Sequence, residues 1–209
     1  MQLVAVGLNH TTAPVALREQ LTLNDCGLRM ALSDLAACRH IPANGNGQPR
    51  LVESVILSTC NRLEVYAVVA GSPRAGWQRI EHFLADLQGL DLEGLRQHLY
   101  RLEGPAAVEQ LMRVAAGLDS MILGEAQILG QVSTAQTEAQ AAGAVGPILS
   151  HLFDYAIHAG KRARTETDIG RHTTSISHAA AQLVNDQLGS LEAVQALIVG
   201  AGEMAQVAA

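Results

Sequence analysis

Apolar and polar positions alternate in two different ways along this chain. Over the first hundred residues, short apolar runs are separated by segments of helical spacing; after Pro105 the apolar residues recur almost throughout at three and four residues. Leu3 to Leu8 is a short apolar run ending near Asn9-His10-Thr11-Thr12-Ala13-Pro14, and Leu28, Ala31, Leu32 and Leu35 then repeat at helical spacing, which predicts strand, loop, helix. Asn44-Gly45-Asn46-Gly47-Gln48-Pro49 is rich in turn formers and reads as a polar connector. Val52 to Leu57 and Leu63 to Val69 are β-rich and flank Ser58-Thr59-Cys60-Asn61-Arg62, predicting two strands joined by a tight loop. A helix over roughly Trp77 to Leu87 and an edge strand near His98 to Leu102 complete the order β-α-β-β-α-β, a ferredoxin-like arrangement in an α+β domain.

Pro105 suits a first helical position, Val108, Leu111, Met112 and Ala115 form an apolar stripe, and Gly117 ends it. Three more helices are expected: about Met121 to Ala142, Pro147 to Arg164 with Leu149, Leu152, Phe153 and Ala156 inward, and Ser175 to Leu188 with Ile176, Ala179, Ala180 and Leu183 inward. Val194 to Val199 then reads as a buried-type strand running into Gly200-Ala201-Gly202-Glu203-Met204-Ala205. Glycines at this spacing directly after a strand allow a tight turn and close approach of a pyrophosphate to a helix N-terminus, so the segment reads as the first strand and phosphate loop of a truncated Rossmann domain.

Composition narrows the classes. The 209 residues are 48% hydrophobic and 16% charged, too apolar for a disordered segment, and no apolar run approaches the roughly 18 residues a membrane span needs. Met1-Gln2-Leu3-Val4-Ala5 lacks the basic flank and cleavage site of a secretory signal, so a soluble, cytoplasmic protein is expected. Three cysteines without a C-x-x-C pair, and eight histidines without H-x-H or H-E-x-x-H spacing, support neither a disulfide framework nor a zinc site. A net charge of −6 and 3% aromatic residues argue against a general nucleic-acid surface, so any RNA contact is local. The one basic cluster, Lys161-Arg162-Ala163-Arg164, reads first as a cationic helix C-terminus.

Among residues able to carry chemistry, Cys60 stands out because it falls on a strand-to-strand loop beside an arginine. Arg62 could stabilise its thiolate or bind a substrate carboxylate, while Thr59 and Asn61 offer hydrogen bonds to a developing oxyanion. Cys26 and Cys38, in the first helical region, read as small buried hydrophobes. Ser120, Gly124, Gln127 and Gln131 fall at i, i+4, i+7 and i+11 and would share one helical face, either a solvated one that starts at Asp119-Ser120 or one lining a pocket, with Glu125 alongside to form a salt bridge or hold an amine.

Four segments, taken together, resemble one family. They are Gly7-Leu8-Asn9-His10-Thr11-Thr12-Ala13-Pro14-Val15, Leu57-Ser58-Thr59-Cys60-Asn61-Arg62-Leu63-Glu64-Val65-Tyr66, Gly117 to Val132 with its Asp119-Ser120-Met121-Ile122-Leu123-Gly124-Glu125-Ala126-Gln127 core, and Val199 to Ala205. In order, they are similar to glutamyl-tRNA reductase, which opens tetrapyrrole (porphyrin and heme) synthesis by the five-carbon route. The resemblance implies that Cys60 attacks the ester of glutamyl-tRNA to form a thioester, which NADPH reduces to glutamate-1-semialdehyde. It implies a glutamyl pocket of Thr59, Asn61, Arg62, Ser120, Glu125, Ala126, Gln127 and Gln131, with Arg62 on the substrate carboxylate, and NADPH on Gly200, Ala201, Gly202, Glu203, Met204 and Ala205. It further implies no metal, no DNA, no membrane, a V-shaped homodimer, and a downstream aminomutase as partner. The implied division is a catalytic, glutamyl-tRNA-binding domain over 1–158, connecting helices including a long spinal helix over 159–191, and the start of the NADPH domain over 192–209. Because that domain stops at its first phosphate loop and the dimerisation region is lacking, the competing expectation is a non-reducing chain that only binds or hydrolyses glutamyl-tRNA. Gln110 stands where the family commonly has an activity-important histidine; glutamine hydrogen-bonds but takes up no proton near neutral pH.

Overall fold

The computed structural model describes residues 1–37, 50–170 and 183–189, together with residues 195, 197 and 199. Its frame is one antiparallel sheet of β1 (Gln2–Asn9), β2 (Arg50–Ser58), β3 (Arg62–Ala70) and β4 (Tyr100–Glu103), in the order β2-β3-β1-β4. The connection from β1 to β2 carries α1 (Val15–Leu21) and α2 (Asp25–Ala37), and that from β3 to β4 carries α3 (Pro73–Gln88) and α4 (Leu92–Arg96). Then come α5 (Pro105–Ala116), α6 (Gln127–Ala141), α7 (Pro147–Glu166) and a 3-10 turn, Asp168–Gly170.

The inner strands β1 and β3 are buried almost end to end, because helices cover both faces of the sheet. Residue parity on β3 separates those faces. Val69 packs against α3, where a Cβ on Gly76 would lie 2.9 Å from Val69 Cγ1, whereas the Tyr66 ring stands edge-on to Phe153 of α7, centroids 5.7 Å apart. Arg62 and Glu64 share the parity of Tyr66, so both project towards the helical face that α5 and α7 build.

Local signals set most element ends. Ser72 caps α3 by accepting from Ala75 N–H at 3.3 Å, with Pro73 at its first turn and left-handed Gly89 at its end; α5 likewise starts at Pro105 and stops at Gly117, φ 77°. The N-terminus of α7 is capped from far away in sequence: the buried Glu53 carboxylate of β2 accepts from Ile148 N–H at 3.1 Å and Leu149 N–H at 2.6 Å.

Some expectations change. The helix expected from Met121 starts only at Gln127, because Gly117 and Gly124 both take left-handed φ and a Cβ on Gly124 would lie 2.2 Å from Ile169 O. Residues 117–126 therefore form a loop, and Ser120 and Gly124 do not share a helical face with Gln127 and Gln131. Cys26 is exposed on the first turn of α2 rather than buried, and the Cys38 reading lies outside the described residues. The short helices α1 and α4 have no periodic signature long enough to be legible. The expected boundary at 158/159 falls inside the unbroken α7. Of the helix expected over Ser175 to Leu188 the described part, 183–188, is helical; of the expected buried-type strand over Val194 to Val199 the three described residues, 195, 197 and 199, are in no strand and are exposed, and the rest of both, with Gly200 to Ala205, lies outside the described residues.

Candidate functional site

One end of the sheet gathers the expected site residues. Arg62, the first residue of β3, is the register partner of Asn9, the last of β1, so the β2–β3 turn sits beside the loop that leaves β1. That turn is tightly closed: Thr59 N–H donates to Arg62 O at 2.9 Å, and Thr59 Oγ1 accepts from Asn61 N–H and Arg62 N–H, each at 3.2 Å. Cys60 lies at its tip, exposed. The cation beside it is not Arg62 but Arg18 of α1, whose Nη1 donates to Cys60 O at 3.3 Å and to Asn61 Oδ1 at 2.7 Å. With Oδ1 so engaged, Asn61 Nδ2 has no protein partner among the described residues and is free to donate to an oxyanion.

Partial burial, and then the charge of Glu125, raise the Cys60 thiol above its ordinary range; the turn's own backbone and Arg18 pull the other way without prevailing. This corrects the expectation of a thiolate stabilised by Arg62, and brings Glu125, 65 positions on by residue number, to the thiol.

Arg62 is 2% exposed and committed below the turn. Its Nη1 donates to Glu64 Oε1 at 2.8 Å and to Asp119 Oδ2 at 2.9 Å, and its Nη2 donates to the Asp119 carbonyl. Asp119 also accepts from Asn9 Nδ2 at 3.1 Å and from Gln110 Nε2 at 3.1 Å, while Glu64 accepts from Gln110 Nε2 at 3.1 Å, from Tyr66 Oη at 2.8 Å and from Tyr100 Oη. Burial opposes the Arg62 charge, but the neighbouring carboxylates outweigh it and keep the guanidinium protonated more firmly than usual. Burial likewise opposes ionisation of Asp119, and the Arg62 ion pair with the hydrogen bonds from Arg62, Gln110 and Asn9 overrides it, holding that carboxyl below its ordinary range. Gly7, paired with both Glu64 and Tyr100, leaves the room this needs: a Cβ there would lie 2.8 Å from Glu64 Cγ.

The guanidinium expected on a substrate carboxylate thus already bridges two protein carboxylates. Asp119, read from the sequence as helix-start polarity, is the hub that ties the α5–α6 loop to the sheet. Ser120 follows it with a buried Oγ that has no hydrogen-bond partner among the described residues, and Glu125 and Ala126 close the loop. Gln127 and Gln131 occupy the first turns of α6, and no hydrogen bond joins them to the Cys60 turn among the described residues. The basic cluster also works differently from a helix end: Arg162 pairs with Glu166 at 2.8 Å, and Arg164 donates to Gly124 O and Glu125 O. Arg18, Glu64 and Asn9 escaped the sequence reading, although Asn9 and Glu64 lie within its segments, because spacing carries no record of which cation faces which loop. His98, by contrast, stands apart from the network, its Nδ1 2.8 Å from Thr12 O.

A family model described as glutamyl-tRNAGlu reductase, N-terminal domain, matches residues 6–167. Glutamyl-tRNA reductase of Geobacillus kaustophilus is 45% identical over 209 residues, which are 100% of this chain and 44% of that protein. The Staphylococcus aureus (strain NCTC 8325 / PS 47) protein of the same name is 45% identical over 207 residues, 99% of this chain and 44% of its own length. The solved structure of glutamyl-tRNA reductase from Methanopyrus kandleri superposes with a TM-score of 0.65 at 36% identity, covering 99% of this chain and 45% of that one. The chain therefore spans less than half the length of these relatives.

Proposed function

The chain belongs to the glutamyl-tRNA reductase family, and we propose that it carries that family's acyl-transfer site, with Cys60 accepting the glutamyl group of glutamyl-tRNA in the first step of tetrapyrrole biosynthesis. The observation that supports this most is the Cys60 turn itself: an exposed thiol on a hydrogen-bonded loop, with an amide nitrogen beside it that has no partner among the described residues, and the charge of Glu125 acting on the thiol. The strand order β2-β3-β1-β4 with helical crossovers supports the ferredoxin-like reading of the domain that presents it.

In this reading the Cys60 thiolate attacks the ester carbonyl, a C–S bond forms, and the C–O bond to the terminal ribose breaks. The ribose hydroxyl leaves with a proton. Asn61 Nδ2 and Thr59 Oγ1 are the donors placed to meet the developing oxyanion, since Thr59 Oγ1 accepts from the turn and keeps its own O–H to give. Glu125 receives the substrate amine, and Ser120, Ala126, Gln127 and Gln131 line the remaining wall. Arg62 acts from below, holding the Asp119 loop, and any contact it makes with the substrate carboxylate is shared with Glu64 and Asp119. Gln110 modulates activity by bridging those two carboxylates without a proton of its own to pass. When bound, NADPH would supply the hydride for reducing the thioester to glutamate-1-semialdehyde, and by the family resemblance Gly200, Ala201, Gly202, Glu203, Met204 and Ala205, which lie outside the described residues, would hold it. A homodimer and a downstream aminomutase that receives the aldehyde complete the proposal, in a cytoplasmic setting; among the described residues no helix is long and apolar enough to cross a membrane.

The test is direct. Incubation with glutamyl-tRNA, acid quench and peptide mass analysis is expected to find a glutamyl adduct on Cys60, absent from Cys60→Ser. A folded chain that releases neither tRNA nor free glutamate and carries no adduct would refute the reading.

A further inference from the structure

The α5–α6 loop contributes little to its own stability. It has no regular element, and Leu118, Met121 and Leu123 are 45%, 52% and 62% exposed. It is held instead by neighbours. Arg62 and Asn9 grip its first part through Asp119, and a 2.9 Å bond from Gly124 N–H to Gly117 O closes it. Its second part is held by the last turn of α7 and the turn after it. Arg164 Nη1 donates to Gly124 O at 2.8 Å, and Nη2 donates to Glu125 O at 2.7 Å. Ile169 O packs so closely that no side chain fits on Gly124.

A guanidinium presents parallel donors in one plane, which suits two successive carbonyls; a lysine ammonium is a point donor and does not reproduce that fork. The hydrogen bonds run to another segment rather than to the open carbonyls of α7, so the residue is not capping its own helix. The peptide it holds belongs to Glu125, whose charge acts on the Cys60 thiol. We propose that Arg164 is a positioning residue of the acyl-transfer site: by forking the Gly124 and Glu125 carbonyls it fixes where the Glu125 carboxylate stands relative to the Cys60 thiol. The inference rests on the reading of Cys60 as the acyl acceptor.

The charged groups that face Cys60 are Glu125 from this loop and Arg18 from α1. Glu125 opposes ionisation of the thiol, and that is the readout. The rate of iodoacetamide addition to Cys60, followed by peptide mass analysis against pH, reports the thiol midpoint without any substrate. Glu125→Gln is expected to lower the midpoint, read as an about 3-fold faster alkylation at a fixed pH below it. Arg164→Lys keeps the charge but loses the fork; it is expected to lower the midpoint similarly, and Glu125→Gln added to it should then change little. Arg162→Lys, on the exposed side of the same turn, should leave the profile as it was. If Arg164→Lys does not fold by circular dichroism, Arg164→Gln serves in the same cycle. An unchanged midpoint in Arg164→Lys with the full Glu125→Gln effect retained would overturn the proposal, as would a Glu125→Gln variant with no shift. Because alkylation reads the thiol alone, either failure stands apart from the acyl-transfer reading, which is decided by the glutamyl adduct.

Discussion

Two side chains show how much a single position can decide. Cys60 has a raised thiol, so its reaction with an alkylating reagent and its acyl transfer should both climb with pH beyond the ordinary thiol range of about 9, the thiolate fraction still rising where an unperturbed cysteine has levelled off. Cys26, although exposed, lies on α2, and Cys26→Ser should leave glutamyl transfer intact while Cys60→Ser abolishes it; transfer that survives in the Cys60 variant would remove the nucleophile from the mechanism. Gln110 spends both hydrogens of one amide nitrogen on Glu64 and Asp119. Neutral imidazole has one N–H, and imidazolium has two, so Gln110→His should place a histidine whose pKa is raised above about 6.5 by the two carboxylates. A raised folded-state value stabilises the fold below the unfolded pKa and loses that gain as pH rises through the folded one. Urea melts should accordingly rank Gln110→His relative to the parent higher at pH 5.5 than at pH 9, and an identical gap at both would mean that the ring does not sit between the carboxylates.

At the scale of elements, α7 is the piece on which the site leans. Its N-terminus is capped by Glu53 from the sheet and its flank is fitted to α5 at Gly160, where a Cβ would lie 2.5 Å from Ala115 O and 2.8 Å from Leu129 Cδ1. Glu53→Ala leaves the buried Leu149 N–H and the part-buried Ile148 N–H unpaired and should cost about 1 to 3 kcal/mol by denaturant unfolding. Gly160→Ala forces the helices apart and should cost a similar ~1 to 3 kcal/mol, unlike the gain that Gly→Ala brings in an uncrowded helix. A neutral or stabilising Gly160→Ala would show that α5 and α7 do not approach this closely.

For the molecule as a whole, the site exists only where three distant stretches meet. Asp119 is bonded to Asn9 across 110 residues of sequence and to Arg62 across 57, so the first strand, the central turn and the α5–α6 loop order one another. The Asp119 carboxyl is held below its ordinary value, 3.8, chiefly by Arg62 against the penalty of burial. A depressed folded-state pKa contributes stability that is full above the unfolded value and is lost as pH falls through the folded one. Acid should therefore weaken the fold from about pH 4 downward, and Asp119→Asn, less stable at pH 7, should lose less on going from pH 5 to pH 3. Parallel acid profiles for the two chains would remove Asp119 from the hub.

What the amino-acid sequence determines by itself is whatever rests on periodicity and turn chemistry. β-rich runs mark β2 and β3, three-and-four spacing marks α2, α3, α5 and α7, and Pro and Gly mark the ends of α5, because these are properties of a few consecutive residues and of backbone sterics. The motifs around Cys60 and Asp119 are legible in the same way, and with them the family. Tertiary structure alone decides the rest. The stretch 117–126 has helical spacing and still forms a loop, since the close approach of Ile169 to Gly124 and the fork of Arg164 come from α7 and the turn behind it. Arg62 sits two residues from Cys60 in sequence and yet turns its charge inward, because strand parity points it at Asp119, while Arg18 arrives at the thiol from another element. Adjacency along a chain fixes neither the face on which a charge emerges nor the partner that meets it there; packing fixes both.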